Sequence, residues 1–374
     1  FGRRGMEMNG TTFYDRTNYF ESFPASGENL AFALKVEAER MTRAFIRKSS
    51  LDSEMTVVRN EFESGENNPL MVLWQKMQAA SYEWHAYGKS TIGARSDIEN
   101  VDIARLQAFY RTWYQPDNAV LVVAGKFDPK VTLEIVAREF GAIPKPTRAL
   151  PRLYTVEPVA DGERAVTVRR TASAQYVGAL FHVMPGAHPD YAAMEALGEI
   201  MTVEPAGRLY QALVETRKAT SVQNWSFATH DPGPAIFFAQ VALGEPVEPA
   251  RDAMLATLFG VKDRPITQEE LDRVRAKFLK AFDQTVNDPQ AFGVQLSEWI
   301  ALGDWRLFFL HRDRWRKLAP ADVTRVAAEW LKPSNMTVGT FVPDAKPDRA
   351  PAVAAVDVPA LVAGYKGDEA VAAG

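Results

Sequence analysis

The residues best placed to do chemistry are Glu54 and Glu61, within the stretch that runs from Leu51 to Glu63. This segment reads as helix. A spacing of seven residues is two turns, so both carboxylates project from the same face. Met55, Val57, Val58 and Phe62 put apolar company beside them. A carboxylate in such surroundings needs a partner. A metal ion, or a network built around one, is a partner that paired carboxylates can hold.

Nothing else in the chain completes such a site in an obvious way. The five histidines are His85, His182, His188, His230 and His311. No two are three or four residues apart, so no helix offers a pair of imidazoles. Neither His-Glu-x-x-His nor His-x-x-Glu-His occurs. His182 and His188 flank a Pro-Gly turn, as strand and loop histidines without zinc often do. His85, beside Trp84 and Tyr87, reads as a packing and turn residue. There are no cysteines, which excludes disulfides and thiolate metal sites.

The elements that must carry these residues are mixed. At 374 residues the chain exceeds one ordinary domain, and its 47% hydrophobic content is enough for sizeable cores. The net charge of −4 has no single-sign block behind it, which gives no argument for nucleic acid or an anionic membrane. No apolar run reaches the roughly 20 residues of a membrane-spanning helix. Helical spacing covers residues 28–46, where Leu30, Leu34, Ala38, Met41 and Phe45 share a face. Residues 51–63 continue as helix, with Asp52 and Ser53 as caps, and 72–84 resumes the pattern. Residues 119–124 read as a buried strand and 129–140 as a helix.

Beyond residue 160, strands are predicted at 165–170, 176–183, 221–229 and 235–243. Helices are predicted at 191–201, 206–216, 247–258, 267–287, 289–301 and 320–331. Strands that come in adjacent groups favour α+β with largely antiparallel sheets over a doubly wound fold.

An internal duplication organises the chain. Trp113-Tyr-Gln-Pro-Asp-Asn and Trp330-Leu-Lys-Pro-Ser-Asn each end a helix and lead into a β-rich run. Pro116 and Pro333 are 217 residues apart. A weaker echo relates Tyr19–Pro24 to Ala179–Pro185, whose prolines are 161 apart. The division this implies is a first domain at 1–145, a linker at 146–161, a second domain at 162–345 and a connector at 346–374. Carried back by the same register, the first copy starts roughly 50 to 60 residues before Phe1.

The segment Glu54-Met-Thr-Val-Val-Arg-Asn-Glu61 resembles the distal-glutamate helix of the pitrilysin/insulinase family of zinc peptidases. The resemblance extends to Asn9-Gly10-Thr11-Thr12-Phe13, which is similar to the edge strand after the family's zinc motif. His85-Ala-Tyr-Gly88, Arg208-Leu-Tyr-Gln-Ala-Leu-Val-Glu215 and the connector Asp357-Val-Pro-Ala-Leu-Val-Ala-Gly-Tyr-Lys-Gly-Asp368 resemble further family segments.

What the resemblance implies is specific. The fold would be two homologous domains, each a largely antiparallel sheet packed with helices, as in mitochondrial processing peptidase. Glu61 would be a metal ligand, and Glu54 a catalytic carboxylate acting from behind it. Asn9, Gly10 and Thr11 would bind peptide as an added strand. The cofactor would be Zn2+, with two His ligands and a general-base Glu supplied by a motif upstream of Phe1. The activity implied is that of an endopeptidase on peptides or unfolded polypeptide, paired with a second half of a clamshell and exported to the periplasm. The 374 residues alone would be inactive and would bind zinc weakly or not at all. The alternative is a non-catalytic peptide-binding or structural partner of an active subunit.

Overall fold

The computed structural model describes residues 1–367. The chain opens with β1 (Glu7–Thr12) and β2 (Thr17–Ser22), then α1 (Gly27–Arg43), α2 (Lys48–Glu66) and α3 (Pro69–Ser81). The short α4 (Arg95–Asn100) precedes α5 (Ile103–Trp113) and α6 (Pro129–Phe140). After an extended linker come β3 (Arg164–Arg170), β4 (Gln175–Val183), α7 (Tyr191–Thr202), β5 (Ser221–Ser226) and β6 (Gly233–Val241). Helices α8 (Glu248–Phe259), α9 (Gln268–Asn287), α10 (Pro289–Ala301), α11 (Leu307–Lys317) and α12 (Pro320–Trp330) lead to β7 (Met336–Pro343). A five-residue helix, α13 (Val358–Val362), lies in the connector. Residues 368–374 of the connector expected at 346–374 lie outside the described residues.

The architecture is α+β. The large sheet has the order β3-β7-β4-β6-β5, antiparallel except for the parallel β3–β7 pair. Burial is almost continuous along β4 and β6, as expected for strands covered on both faces. One face carries the main core, with α7, α9 and α12 contributing Leu197, Val274 and Val326. The other face is covered by a helix from the opposite end of the chain: α3 places Val72, Leu73 and Met77 on Leu180, Ile236, Phe238 and Phe341. Fully burying a side chain of this size contributes about 1.5–3 kcal/mol.

The fit depends on two glycines. Gly178 and Gly339 face each other across β4 and β7. A Cβ on Gly178 would come within 3.0 Å of Met77 Sδ, and one on Gly339 would overlap that sulfur. Glycine inside a strand here marks a close approach by another element.

The two Trp-x-x-Pro-x-Asn segments fold alike. Asn118 Nδ2 donates to the Trp113 carbonyl at 3.0 Å, and Asn335 Nδ2 donates to the Trp330 carbonyl at 2.9 Å. The element order around them also repeats. Hairpin β1–β2 with α1, α2, α3 and α5 answers hairpin β5–β6 with α8, α9, α10 and α12. Helices α3 and α10 both begin with proline behind a side-chain cap, Asn68 for one and Asp288 for the other. Pro69 and Pro289 are 220 residues apart, close to the 217 of the Trp motifs. The 161-residue echo does not fit this register, because β2 answers β6 and not β4.

The repeat includes an exchange. As α3 packs under the large sheet, α10 packs against β2. A Cβ added at Gly125 would lie 3.6 Å from the side chain of Pro289, the first residue of α10.

The buried-strand expectation is corrected. Residues 119–124 form no strand and are not buried: Val120 is 66% exposed and Leu121 40%, although Val122 packs on the main core. A strand needs a ladder partner, and none lies beside this segment among the described residues. The sheet of the first half is the two-stranded antiparallel β1–β2 hairpin among the described residues.

Candidate functional site

Glu54 and Glu61 lie on α2, as expected, and both are exposed. The apolar company predicted for them is turned elsewhere. Leu51, Met55, Val58 and Phe62 recur at spacings of four, three and four, and form the inward stripe of α2. At roughly 100° per residue, Glu54 and Glu61 fall about 70–90° to one side of its centre, within about 20° of each other. They therefore share a face, but that face is solvent. Neither makes a hydrogen bond or ion pair among the described residues, whereas Arg59 and Glu63 on the same helix approach each other at 3.9 Å. Two carboxylates without a partner among the described residues are left on that face, two turns apart.

No group of three His, Cys, Asp or Glu side chains among the described residues is placed to hold a metal ion. Glu61 offers oxygen ligation and nothing within these residues complements it, so they do not by themselves fit zinc. His85 is occupied otherwise: its Nδ1 accepts from the Tyr87 N–H at 3.2 Å, and its Nε2 lies 3.2 Å from Asp231.

The β1–β2 hairpin is open in the way a docking strand must be. All six residues of β1 are exposed, and no strand pairs with its outer side among the described residues. The turn closes with Phe13 N–H donating to the Arg16 carbonyl at 3.0 Å. In an antiparallel pair the bonded positions alternate, so Thr11, Asn9 and Glu7 turn their backbone groups toward β2. Met8, Gly10 and Thr12 turn theirs outward. Of the three predicted peptide-binding residues, Gly10 alone therefore presents backbone to an incoming strand. Its N–H is held meanwhile by its neighbour Asn9 Oδ1 at 2.8 Å.

Several anchors hold the hairpin. Tyr14 accepts from Gln78 on α3 at 2.5 Å, and burial pushes its phenol up to about 12. Asp15 accepts from the Tyr87 hydroxyl at 2.6 Å and the His230 N–H at 2.9 Å. Tyr19 and Tyr114 share a hydroxyl contact of 2.6 Å. Arg16 reaches Glu298 on α10, an ion pair between residues distant in sequence. Under β2, the Glu21 carboxyl is pushed up to about 8, first by burial and then by Glu37, while Arg40 pulls the other way.

None of these anchors was visible in the sequence, because each pairs residues whose proximity arises only from the fold. The Gly178–Gly339 pair did carry a signal, since each interrupts a β-rich run.

Comparison with known proteins adds to this geometry. A family model described as "Peptidase M16 inactive domain" matches residues 100–278, from α5 into α9. The zinc protease PqqE of Helicobacter pylori is 24% identical over 339 residues, spanning 90% of this chain and 76% of that protein. A crystal structure of a protease from Helicobacter pylori superposes with a TM-score of 0.86 at 24% identity, covering 91% of this chain and 83% of the other. The inactive peptidase domain of a putative zinc protease from Bordetella parapertussis is 43% identical, covering 50% of this chain and 99% of that one, with a TM-score of 0.45.

Proposed function

The chain belongs to the peptidase M16 family, and on that premise we propose that it is part of a zinc-dependent endopeptidase. Residues 1–145 are the catalytic-type domain, 162–345 the non-catalytic repeat and 146–161 the linker between them. Glu61 contributes one metal-ligand oxygen, and Glu54, two turns away on the same face, is the auxiliary catalytic carboxylate. The other ligands and the general base come from residues outside these 374. The observation that carries this reading is the pair of free, exposed carboxylates on one face of α2. Glu61 would hold the ion together with those outside ligands, and the chemistry zinc would supply is Lewis-acid polarisation of a carbonyl and activation of a water.

Substrate adds as a strand along β1, bonding to the outward backbone groups of Met8, Gly10 and Thr12. Backbone pairing tolerates many sequences, so unfolded polypeptide is the substrate class. A second half of a clamshell completes the chamber, and the protein works as an exported peptidase. No helix among the described residues is long and apolar enough to cross a membrane.

The test is cleavage of unfolded casein by the complete gene product. Chelation should abolish it and added zinc should restore it. Absence of cleavage with zinc bound stoichiometrically would contradict the proposal. It would favour instead a non-catalytic partner subunit, a reading also supported by the inactive-domain match.

A further inference from the structure

Helix α10 is fixed in the molecule. Leu296 and Trp299 are buried in the main core, and Asp288 caps the helix start through the N–H groups of Gln290 and Ala291, both at 3.0 Å. The face carrying Ser297 and Glu298 meets the hairpin. Arg16 donates to Glu298 Oε1 from Nε at 3.0 Å and also from Nη2. Its Nη1 donates to Thr11 Oγ1 at 2.6 Å. Thr11 Oγ1 donates to Asn18 Oδ1 at 2.6 Å, and the Thr11 N–H reaches the same oxygen at 3.2 Å. Asn18 Nδ2 then donates to Ser297 Oγ at 2.9 Å, and Ser297 is itself held by the Val294 carbonyl at 2.6 Å.

The bonds close a ring: Glu298, Arg16, Thr11, Asn18, Ser297. It begins and ends on one rigid helix of the second half and passes through β1, the exposed strand. Thr11 sits between Gly10 and Thr12, two of the three residues whose backbone faces outward. Two guanidinium N–H groups converge on one carboxylate oxygen, a charge-assisted contact that holds the hairpin turn at a fixed distance from α10. Side chains on both strands are gripped, so the ring sets the tilt of the hairpin as a unit.

We propose that Glu298 and Ser297 are positioning residues, and that the non-catalytic repeat sets the attitude of β1 toward the incoming peptide strand through them. This rests on the reading of β1 as the peptide-docking edge. It assigns the second half a role in substrate binding that requires no metal and no substrate contact of its own. A docking strand tilted out of plane loses several backbone bonds together, so a change on α10 is felt along β1.

The experiment uses the complete gene product, with metal chelated to stop turnover and fluorescein-labelled casein as probe. Hydrogen exchange of residues 7–22 and probe anisotropy are read together for wild type, Glu298→Ala, Ser297→Ala and the swap Arg16→Glu/Glu298→Arg. Glu298→Ala should speed hairpin exchange and weaken casein about tenfold, at unchanged exchange of the large sheet; the swap should recover most of both. Faster exchange with unchanged casein affinity would overturn the proposal, because the tie would then be structural only. Casein that binds wild type without slowing exchange at Met8, Gly10 and Thr12 would overturn the docking-edge reading itself. Should Glu298→Ala fail to fold, Glu298→Gln, which keeps an acceptor and removes the charge, is expected to give an intermediate shift in both readouts; no shift in either would also overturn the proposal.

Discussion

Met77, from the first half of the chain, rests its sulfur on the backbone of Gly339, in a strand of the second half. The contact joins the two halves at the middle of the large sheet. Leu73 and Met77 are both 0% exposed there. The reciprocal contact is α10 on the β1–β2 hairpin, so each half holds a helix of the other.

Gly339→Ala should therefore destabilise the protein by ~1–3 kcal/mol, the usual cost of overpacking a well-filled core. The new methyl would meet Met77 and lie 2.9 Å from Leu73 Cδ1. Adding Met77→Ala should recover part of the loss, a non-additivity typical of residues in contact. Urea unfolding measures both. A single variant within about 0.5 kcal/mol of wild type would contradict the packing described.

Arg208 and Glu270 form a buried ion pair with contacts at 2.7 and 2.8 Å. The guanidinium is also taken up by the carbonyls of Arg264 and Pro265. Arg208→Ala leaves the carboxylate without its cation and should cost about 3–5 kcal/mol. Burial alone would push Glu270 up, but Arg208 and the Thr267 N–H outweigh it and hold the carboxyl at about 2. A depressed folded pKa stabilises above the unfolded value of 4.5, and that stabilisation is lost as pH falls toward 2. Glu270→Gln should flatten the acid limb of a stability–pH curve; an unchanged limb would contradict the assignment.

Glu21 carries the opposite sign. Its carboxyl, buried beside Glu37, is raised from 4.5 to about 8. The groups facing it are Glu37 and Arg40 from α1. Its contribution is fully present below 4.5 and is lost as pH rises through 8. Glu21→Gln should remove that loss and gain on wild type toward alkaline pH. Parallel curves for the two proteins between pH 5 and 9 would contradict it (about 4.5 to 8 is the window that matters).

Much of this was legible in the sequence. Strands β3, β4 and β6 and helices α7, α9, α10 and α12 fall within a few residues of where periodicity puts them. The Trp113 and Trp330 motifs read as copies because the same Asn must bond the same carbonyl to end the helix. Helix α11 was not foreseen, since Arg312, Arg314, Arg316 and Lys317 mask its apolar side. The exchange of α3 and α10 was not legible either: apolar spacing at Val72, Leu73 and Met77 says that a face is buried, not which sheet buries it. Residues 119–124 misled because an apolar run specifies burial only if a ladder exists to receive it. For Glu54 and Glu61, spacing gave the shared face. It did not give exposure, because their apolar neighbours sit around the helix from them.

The central claim is that Glu61 ligates zinc, and metal content tests it most directly. In the complete gene product, equilibrated with zinc and dialysed, wild type should retain one zinc per chain. Glu61→Gln should lose metal affinity by about tenfold or more, whereas Glu54→Gln should keep its zinc. Full zinc occupancy in Glu61→Gln, at wild-type affinity, would contradict the account.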